Sequence, residues 1–470
     1  MNITGTGFDF SAAGTCCSVG NSFATGNGYG YIGNGTNVTF YNNFANCNGT
    51  DFDTNSASSA ISGKLDSKID SLKNLVSVDF NGTFTALAAG FSCGPTPLTL
   101  TSAGTTISTP GTYCLTNNVQ LSAASSINIT GNNILLDLGG HTISFASTGT
   151  AIVCTGSRVT IQNVQINTCT NGILVSGSTQ VIMQDLKIYN CTTSAITCLN
   201  TTVATIKNCY VSNAGLFGLQ MALRAVLLVD NCQVVNNSGQ GIYVDGTQFL
   251  VGGAGVTIRN TISSFNTVGF TLNNCATALL DNCNAANNTS HGYLVSSANI
   301  NSQSPIIRNC NAEANLGVGF RMQDNGNTSM RYLVQGCSAI AGNNDGFQLA
   351  RINGLVKDCL AQSNNGNGFL ITGTMVTVQN CTAQVHQVAN RAGFNLANAG
   401  TTCTITGCVA TNNTIGFATE SPLVTSPVFY LNSAANNGTN FSAPLGATSA
   451  AIALMSGTPN YGNNLRSSNP

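Results

Sequence analysis

Apolar residues along this chain recur in a short repeating phrase. An apolar residue is followed by a polar residue, a turn residue and a small apolar residue that is often cysteine, as in "IKNC" ending at Cys209 and "VQNC" ending at Cys381. Eleven copies end between residues 164 and 408, in steps of 22 to 29 residues. A second anchor, glycine followed by an apolar residue, keeps the same spacing, for example at Gly393-Phe394. Self-similarity at a fixed period indicates a stacked repeat architecture.

The segments between the anchors are short, rich in β-branched residues, and alternate apolar with polar positions. No period has room for a helix, so the pattern predicts a β-solenoid in which each period is one coil. Stacked coils lie ~4.8 Å apart, the spacing of neighbouring strands, so about fourteen coils over residues 95–440 would be ~65–70 Å long. The Asn, Asp or Gly before each cysteine is expected to form the bend, and the extra residues of longer coils to leave one corner as surface loops.

The 19 cysteines would by themselves suggest a disulfide scaffold or a metal protein. Their place in the repeat favours another interpretation, in which each side chain points inward and fills a narrow core as a small hydrophobe. Val164 and Leu186 fill the same slot in early coils, which a metal or redox role would not allow. Stacked, buried thiols are expected to be unreactive. The pairing of the five N-terminal cysteines is left open: Cys16, Cys17, Cys47, Cys93 and Cys114.

Asparagines follow the cysteine slot by four or five residues. The pattern predicts an internal ladder of stacked carboxamides, as in steric-zipper stacks. Its expected members are Asn213, Asn236, Asn266, Asn288, Asn315, Asn364 and Asn413.

The segments outside the repeat differ in kind. Residues 1–60 are rich in Gly, Asn and aromatic residues, contain no Lys or Arg, and are expected to form an arm or a small β module. Residues 61–80 carry apolar residues at the spacing of a coiled-coil seam, from Leu65 to Val76, and predict one short helix. That helix would either bring chains together or cap the solenoid, because an open end leaves an unpaired edge. The solenoid is placed at residues 81–440, and residues 441–470 are expected to form a cap and tail.

Composition excludes several functional classes. Charged residues make up only 7% of the chain and the net charge is −1, which offers no electrostatic attraction for nucleic acid. No apolar run reaches membrane-spanning length, and no secretory signal is visible at the start. The chain has no paired Cys-x-x-Cys signature, and His141, His291 and His386 lie far apart. We therefore expect no metal, no cofactor, no nucleic-acid partner and no membrane insertion.

One stretch adds a resemblance to a known family. The segment "GNNILLDLGGHTIS" (Gly131–Ser144), followed by coils of this length with Asn and Cys ladders, resembles the right-handed parallel β-helix proteins of the pectin-lyase-like group. The resemblance covers residues 95–440 and implies an all-β, right-handed parallel β-helix. Members include polysaccharide lyases and hydrolases, phage tailspikes, and surface or virion proteins of giant DNA viruses and intracellular bacteria. In composition the chain is most similar to the last group.

Enzymes of this fold that cut polysaccharides need clustered carboxylates. Here the acidic residues have other expected uses. Two positions before the anchor the coils carry, in order, Lys207, Asp230, Arg259, Asp281 and Arg308, which predicts a ladder of alternating charge. The family's catalytic elements have no match, and "SHG" around His291 resembles the polygalacturonase Gly-His-Gly too weakly to assign a role. No catalytic residue is predicted.

Charged residues are dense only between residues 308 and 358. Asp324 and Arg351 follow their glycine anchors by the same offset and should stack on adjacent coils, which on its own predicts only a surface ion pair. If the solenoid binds a glycan, we expect the binding residues among Glu313, Arg321, Asp324, Asp345 and Arg351.

Two functions are therefore considered. The favoured one is a structural or adhesive β-helix that forms part of a virion or cell-surface fibre or spike, assembles as a trimer or filament of identical chains, and binds a glycan. The alternative is a polysaccharide-cleaving lyase or glycoside hydrolase of the same fold. The scarcity of carboxylates and the lack of enzymatic motifs favour the first, so we expect a virion or extracellular protein that is not an enzyme.

Overall fold

The computed structural model shows only β-strands as regular secondary structure in the residues that it describes. These are strand residues between Thr6 and Asp79, and residues 96–442 apart from gaps at 99, 101, 123–124, 146–148, 202, 223–225, 247–254, 276, 297–303, 324–330, 351–352, 398–401 and 421–427. The chain divides into two units, Met1–Thr96 and Pro97–Pro470.

Short strands that pair in parallel make up the described part of the first unit. They are β1 (Thr6–Asp9), β2 (Ser18–Gly20), β3 (Phe23–Thr25), β4 (Tyr29–Ile32), β5 (Thr39–Tyr41), β6 (Phe44–Asn46), β7 (Thr50–Thr54), β8 (Ser59–Ser62), β9 (Ser71–Leu72) and β10 (Leu75–Asp79). Thr6 faces Tyr29 and Tyr29 faces Thr50, so equivalent strands recur after 23 and then 21 residues. This unit is therefore a parallel stack with its own period, which the sequence analysis did not find.

The helix predicted for residues 61–80 is wrong for the described part of that segment. The end of β8, together with β9 and β10, occupies it, while residues 63–70 and 73–74 lie outside the described residues. β10 pairs in parallel with β8, and its sequence LVSVD alternates apolar and polar residues. A seam of two heptads is too short to hold a helix without tertiary support, so parallel strand pairing overrides the apolar spacing.

The second unit contains the long repeat. Its first strands are β11 (Thr96–Leu98), β12 (Thr105–Ile107), β13 (Gly111–Leu115), β14 (Val119–Leu121), β15 (Ile127–Ile129), β16 (Ile134–Asp137), β17 (Thr142–Phe145), β18 (Thr150–Cys154), β19 (Val159–Gln162), β20 (Gln165–Ser176), β21 (Gln180–Gln184), β22 (Lys187–Leu199), β23 (Val203–Lys207), β24 (Tyr210–Ser212), β25 (Phe217–Ala222), β26 (Val226–Asp230), β27 (Gln233–Val235), β28 (Gln240–Asp245), β29 (Gly255–Arg259), β30 (Ile262–Ser264) and β31 (Val268–Asn273).

Shorter strands continue the same order to the end of the described chain. They are β32 (Thr277–Asp281), β33 (Asn284–Ala286), β34 (Tyr293–Ser296), β35 (Ile306–Arg308), β36 (Asn311–Glu313), β37 (Phe320–Met322), β38 (Tyr332–Gln335), β39 (Ser338–Ile340), β40 (Phe347–Leu349), β41 (Gly354–Lys357), β42 (Leu360–Gln362), β43 (Phe369–Ile371), β44 (Thr377–Gln379), β45 (Thr382–Gln384), β46 (Ala392–Leu396), β47 (Thr404–Thr406), β48 (Val409–Thr411), β49 (Ile415–Thr419), β50 (Val428–Tyr430), β51 (Ser433–Ala435) and β52 (Thr439–Ser442).

These strands form a parallel β-solenoid with three strands in each regular coil. The first strand of each coil joins a 15-stranded sheet that runs from β11 to β50. The second and third strands, such as β27 and β28, belong to a 27-stranded sheet and each pairs with its equivalent one coil away. The predicted solenoid over the repeat is therefore confirmed.

Inward side chains stack in columns, as the repeat predicted. The cysteines at the anchor are buried, at most 3% exposed, and none forms a disulfide: Cys209, Cys232, Cys283, Cys310, Cys337, Cys359, Cys381 and Cys408. The thiol of Cys337, for example, donates to the Gln335 carbonyl at 3.3 Å, and burial raises its pKa. The packing interpretation of these cysteines is confirmed. Cys93 lies outside the described residues, so its pairing with Cys114 stays open.

The apolar residue of the glycine anchor builds a stack of aromatic rings. Neighbouring ring centroids are 4.5–5.2 Å apart and the planes lie within 12° of parallel. The members are Phe270, Tyr293, Phe320, Phe347, Phe369, Phe394, Phe417 and Phe441. Contacts between aromatic rings stabilise the fold beyond what the buried area of each ring contributes. The aromatic stack is therefore a main component of the core.

Glycine precedes every ring of the stack except Phe441, because the coils approach closely at this corner. A Cβ on Gly292 would lie 2.7 Å from the Gly319 carbonyl oxygen and 2.9 Å from Asn315 Nδ2. A Cβ on Gly319 would lie 2.6 Å from the Gly346 carbonyl oxygen. Any side chain there would push neighbouring coils apart, so this anchor is required by packing.

The internal carboxamide ladder exists, with one correction. The rungs are Asn237, Asn266, Asn288, Asn315, Asn364 and Asn413, each at most 3% exposed. Asn213 and Asn236 were predicted as rungs but lie one residue earlier, exposed, at φ 57° and 56°. The rung after Asn213 is Ala214, whose N–H donates to Asn237 Oδ1 at 2.9 Å. The left-handed turn before each rung also favours Asn, so sequence spacing alone confuses the two positions.

The turn before each cysteine behaves as predicted. Asn208, Asn231, Asn282, Asp358 and Asn380 all have φ between 52° and 56°, a region that Asn, Asp and Gly tolerate. Their side chains form an outer ladder, since Asn231 Nδ2 donates to Asn208 Oδ1 at 3.0 Å.

The expectation that extra residues leave one corner stays a prediction for three longer coils, whose extra residues lie outside the described residues. Residues 247–254, 297–303 and 324–330 all fall between a third strand and the first strand of the next coil. It is wrong for the coil from Cys381 to Cys408. There the segment from Ala383 to Phe394 spans 11 residues, whereas the equivalent segment from Ala361 to Phe369 spans 8.

The aromatic stack gives a test of the core. Phe347 lies between Phe320 and Phe369 at 4.8 and 4.6 Å and is 0% exposed. Phe347→Ala should lower the free energy of unfolding by about 3–5 kcal/mol, because it leaves a cavity between rigid rings. Urea denaturation followed by circular dichroism measures this.

The control is Phe265→Asn, because that ring is 55% exposed and its φ of 56° suits asparagine. This change should move stability by no more than about 0.5 kcal/mol or increase it. Equal losses in the two variants would contradict the stack as a main stabilising feature.

Candidate functional site

The charged residues proposed for binding do not form one cluster among the described residues. Glu313 is exposed on the outer side of β36, a second strand, whereas Arg321 is half-buried on the outer side of β37, a third strand. Asp345 is buried in the turn before β40. Asp324 and Arg351 lie outside the described residues, so their stacking stays a prediction.

Asp345 is committed to the next coil. Its Oδ1 accepts from the backbone N–H of Asn367 at 2.6 Å and from Asn367 Nδ2 at 3.0 Å. Burial raises the pKa of Asp345, while these two bonds and the charges of Arg391 and His386 act in the opposite direction. This carboxylate therefore supports the turn and is not presented to a surface ligand.

His386, in the same region, replaces asparagine in the carboxamide ladder. Its backbone N–H donates to Asn413 Oδ1 at 3.0 Å, as a rung should. Its ring nitrogens face two carbonyl oxygens, Nδ1 that of Asn364 at 3.1 Å and Nε2 that of Ala361 at 3.2 Å. A neutral imidazole can donate to only one of them. Burial nevertheless lowers the pKa of His386, so a buried nitrogen lone pair faces a carbonyl oxygen near neutral pH.

The predicted charge ladder on the 15-stranded sheet is confirmed. Arg259 Nη2 contacts Asp230 Oδ2 at 2.8 Å, and Arg308 contacts Asp281 at the same distance. In register, Lys207 faces Asp230 and Arg259 faces Asp281. The hydrogen bond from Arg259 lowers the pKa of Asp230 below its usual value. These groups satisfy one another, which makes the ladder a structural feature of this face.

A different surface carries polar and aromatic side chains in register from coil to coil. We call it the third-strand face, the outer side of the third strands from β22 to β46. One column of it, in register from coil to coil, is Gln220, Tyr243, Thr271, Leu294, Arg321, Gln348, Leu370 and Asn395. The flanking positions are Ser194, Phe217 and Gln240 on one side, and Asp245, Asn273 and Ser296 on the other.

Aromatic and polar side chains lie together on this face between strands β25 and β34. The rings of Phe217 and Tyr243 stack at 5.3 Å with an interplanar angle of 29°. Tyr243 Oη lies 3.4 Å from Asp245 Oδ2, and Ser296 Oγ donates to Asn273 Oδ1 at 3.0 Å. Burial is the largest cause of the raised pKa of Tyr243, so its hydroxyl stays protonated and able to donate.

Buried polar atoms without partners concentrate on the same face. Among the described residues, Ser194 Oγ, Gln240 Oε1, Thr271 Oγ1 and Asn395 Oδ1 are buried and have no hydrogen-bond partner. Such atoms cost about 1–3 kcal/mol each and are rare in folded proteins. Their alignment along one face distinguishes it from the ion-paired first-strand face.

His291, just before β34, and Arg321, on β37, lie further along the face toward the C-terminus. His291 Nδ1 accepts from the backbone N–H of Val318 at 3.0 Å, and its Nε2 lies 2.9 Å from Arg321 Nη1. A Cβ on Gly317 would lie 2.8 Å from His291 Nδ1, so glycine makes room for the ring. Burial, and then the charge of Arg321, lowers the pKa of His291 to about 4.

The sequence analysis placed only Arg321 on this face and missed the other residues. Tyr243 and Asn395 each follow a glycine anchor by two residues, and that offset was the available signal. The candidates were chosen by the density of charged residues and not by their position in the repeat, so this signal was not used.

A family model described as "Right handed beta helix region" matches residues 109–252 and 245–332 of this chain. Residues 109–332 are a right-handed β-helix. The predicted handedness and the resemblance to right-handed parallel β-helix proteins are thereby confirmed. A search of curated protein sequences finds no match.

Solved structures with a similar β-helix have low identity to this chain. The A-module of the mannuronan C-5 epimerase AlgE4 from Azotobacter vinelandii has 12% identity and a TM-score of 0.39, over 70% of this chain and 89% of that one. The periplasmic alginate epimerase AlgG has 12% identity and a TM-score of 0.36, over 67% and 76%. The Dettilon tailspike protein has 11% identity and a TM-score of 0.33, over 67% and 62%. We assign no activity from them.

Two further properties concern the described part of the chain. None of its residues forms a helix long and apolar enough to cross a membrane. Within those same ranges, no group of three or more His, Cys, Asp or Glu residues is arranged to hold a metal ion.

His386 predicts an acid-dependent loss of stability. Because its pKa is lower in the folded state than the ordinary 6.5, the unfolded chain binds the proton more tightly. Its contribution to stability is therefore full above pH 6.5 and is lost as the pH falls below that value, at no more than about 1.4 kcal/mol per pH unit for one proton. Urea unfolding at pH 7.5 and 5.5 should show a smaller loss for His386→Asn than for the unmodified protein.

The matched control is His141→Asn, which changes a histidine outside the ladder. If His386→Asn keeps the full pH dependence of the unmodified protein, His386 is not its source.

Proposed function

We propose that this chain is a structural and adhesive β-helix of a virion or cell surface, which binds a glycan along the third-strand face. The polar and aromatic side chains that recur in register on that face are the observation that carries the proposal. Sugars offer hydroxyl groups that both donate and accept, so they can pair with half-buried groups such as Tyr243 and Gln240, whose Oε1 has no partner. Side chains recur every ~4.8 Å along the stack, a spacing suited to a polymer with a short repeat.

The aromatic pair supports the same ligand class. Phe217 and Tyr243 are half-buried and lie on the outer side of the sheet, where a sugar ring can pack against an aromatic surface. Binding sites of this type combine an apolar surface with a few fixed polar groups. Tyr243 and Asp245 supply both elements from the same side of one strand, two residues apart.

Assembly of several chains is also part of the proposal. The last described coil exposes apolar residues at its strand β50 and the turn that follows, with Val428 41%, Tyr430 48% and Leu431 63% exposed. An open strand edge with exposed apolar residues tends to pair with further chain. A trimer or filament of identical chains would cover such a surface and provide the shaft of a fibre or spike.

An enzyme that cleaves polysaccharide is the second candidate, and Asp245 beside Tyr243 is the observation in its favour. Glycoside hydrolysis usually requires a second carboxyl group within about 5–9.5 Å. On the neighbouring coils Asp245 faces Ala222 and Asn273, and neither supplies a carboxyl group. The adhesive function therefore agrees better with the geometry.

Glycan binding can be tested by screening the full-length protein on an array that includes neutral and acidic oligosaccharides. Tyr243→Ala should weaken binding of any recognised glycan about 3–10-fold, because one aromatic contact is lost. Tyr189→Ala is the matched control, since Tyr189 is half-buried on a second strand and its ring packs at a tilt against Tyr210, with centroids 5.7 Å apart. The same loss in both variants would contradict a site at Tyr243.

The enzyme alternative is tested on the same ligands. New reducing ends after incubation, abolished in Asp245→Asn, would replace the adhesive function by the enzymatic one.

Assembly is tested separately by light scattering of the full-length chain. A trimer or larger species is expected at micromolar concentration. A monomer under these conditions would contradict assembly through the chain's own surfaces.

A further inference from the structure

The contact between His291 and Arg321 contains a hydrogen-bond conflict. The Val318 N–H donates to His291 Nδ1, and the Arg321 guanidinium, which has only donors, faces Nε2 at 2.9 Å. A neutral imidazole carries one proton. In either tautomer, therefore, one of these two contacts sets an N–H group against another N–H group.

Burial decides which tautomer is present. Val318 is 3% exposed, so its amide would lose its acceptor without access to water if Nδ1 carried the proton. Arg321 is half-buried and can turn toward solvent. The proton therefore belongs on Nε2, and protonating both nitrogens would bring the conflict back at Val318. His291 stays neutral at physiological pH because its pKa is lowered to about 4.

The result is a pair of donors for which the described residues provide no acceptor. His291 Nε2–H and the Arg321 guanidinium converge on the outer side of β37, between Leu294 one coil below and Gln348 one coil above. Among the described carboxylates, Asp345 is bonded to Asn367, and Glu313 lies on the outer side of a second strand. The pair carries one positive charge, so the acceptor that fits it best is an anion with two oxygens.

We propose that His291 and Arg321 bind the carboxylate of an acidic sugar, with His291 Nε2–H donating to one oxygen and the Arg321 guanidinium to the other. Charge-assisted bonds of this type are about twice as strong as neutral ones. The inference rests on the proposed glycan-binding function and specifies its ligand as a uronate or a sialate. Gly317 is then a positioning residue, because it makes room for the imidazole ring.

Isothermal titration calorimetry of the full-length protein tests this with two matched pairs of probes. The first pair is tetragalacturonate and its methyl ester, which has the same rings without the charge. The second is 3'-sialyllactose and lactose. An acidic probe should bind at least tenfold more tightly than its neutral partner, and the pair that shows the difference identifies uronate or sialate as the source of the carboxylate.

Variants locate the site. Arg321→Gln and His291→Asn should each weaken the acidic probe about tenfold and leave the neutral probe unchanged. Arg308→Gln is the control that removes the same charge from the first-strand face, and it should have no effect. Long-range proton–nitrogen NMR of labelled histidine should find the proton of His291 on Nε2 in the free protein. A proton on Nδ1 would overturn the donor argument.

The remaining outcomes separate this inference from the proposed function. Equal binding of acidic and neutral probes, unaffected by Arg321→Gln, overturns the carboxylate site and leaves glycan binding intact. Binding of the acidic probe only after Asp324→Asn shows that the chain's own carboxylate fills the site, and also overturns it. The absence of binding by any sugar, on the array or in solution, overturns both.

Discussion

Parallel pairing of each coil with the next, at ~4.8 Å, is the constraint on which the rest of this molecule depends. It places equivalent residues directly over one another, so every inward position must hold a residue that packs against copies of itself. Flat rings meet this condition in the Phe270–Phe441 column, and thiols meet it at the cysteine anchor. Carboxamides meet it because each one donates and accepts along the stack, as Asn288 does by donating to Asn315 Oδ1 and accepting from the Asn266 N–H. The composition of the chain, poor in charge and rich in Asn, Gly and Cys, follows from this condition.

The constraint is weaker on the outside, where the faces diverge. The first-strand face is closed by its own ion pairs, such as Arg259 with Asp230. The third-strand face instead leaves the half-buried Gln240 with an oxygen that no described group satisfies. A repeat that satisfies its hydrogen bonds so thoroughly elsewhere makes this exception informative. It is the reason for placing a ligand there.

The two histidines at irregular places in the stack have opposite conflicts. The ring of His386 faces two carbonyl acceptors in the core, whereas the ring of His291 faces two donors at the surface. The first conflict cannot be relieved by a ligand because the side chain is 0% exposed, so it bears on stability. The second lies on an outer face, so a bound anion can relieve it. Burial, rather than residue type, separates a structural role from a binding role here.

The sequence by itself determined the all-β solenoid, its period, the buried cysteines, the turn residues and the charge ladder. Each of these depends on residues that recur in register, such as Asp230 and Arg259, and register is visible as spacing. Only the tertiary structure decided what depends on local direction. It moved the ladder rung from Asn236 to Asn237, placed strands instead of a helix in the described part of residues 61–80, and buried Asp345. It also brought His291 and Arg321 together, because a contact 30 residues apart depends on side-chain orientation across coils, which spacing does not encode.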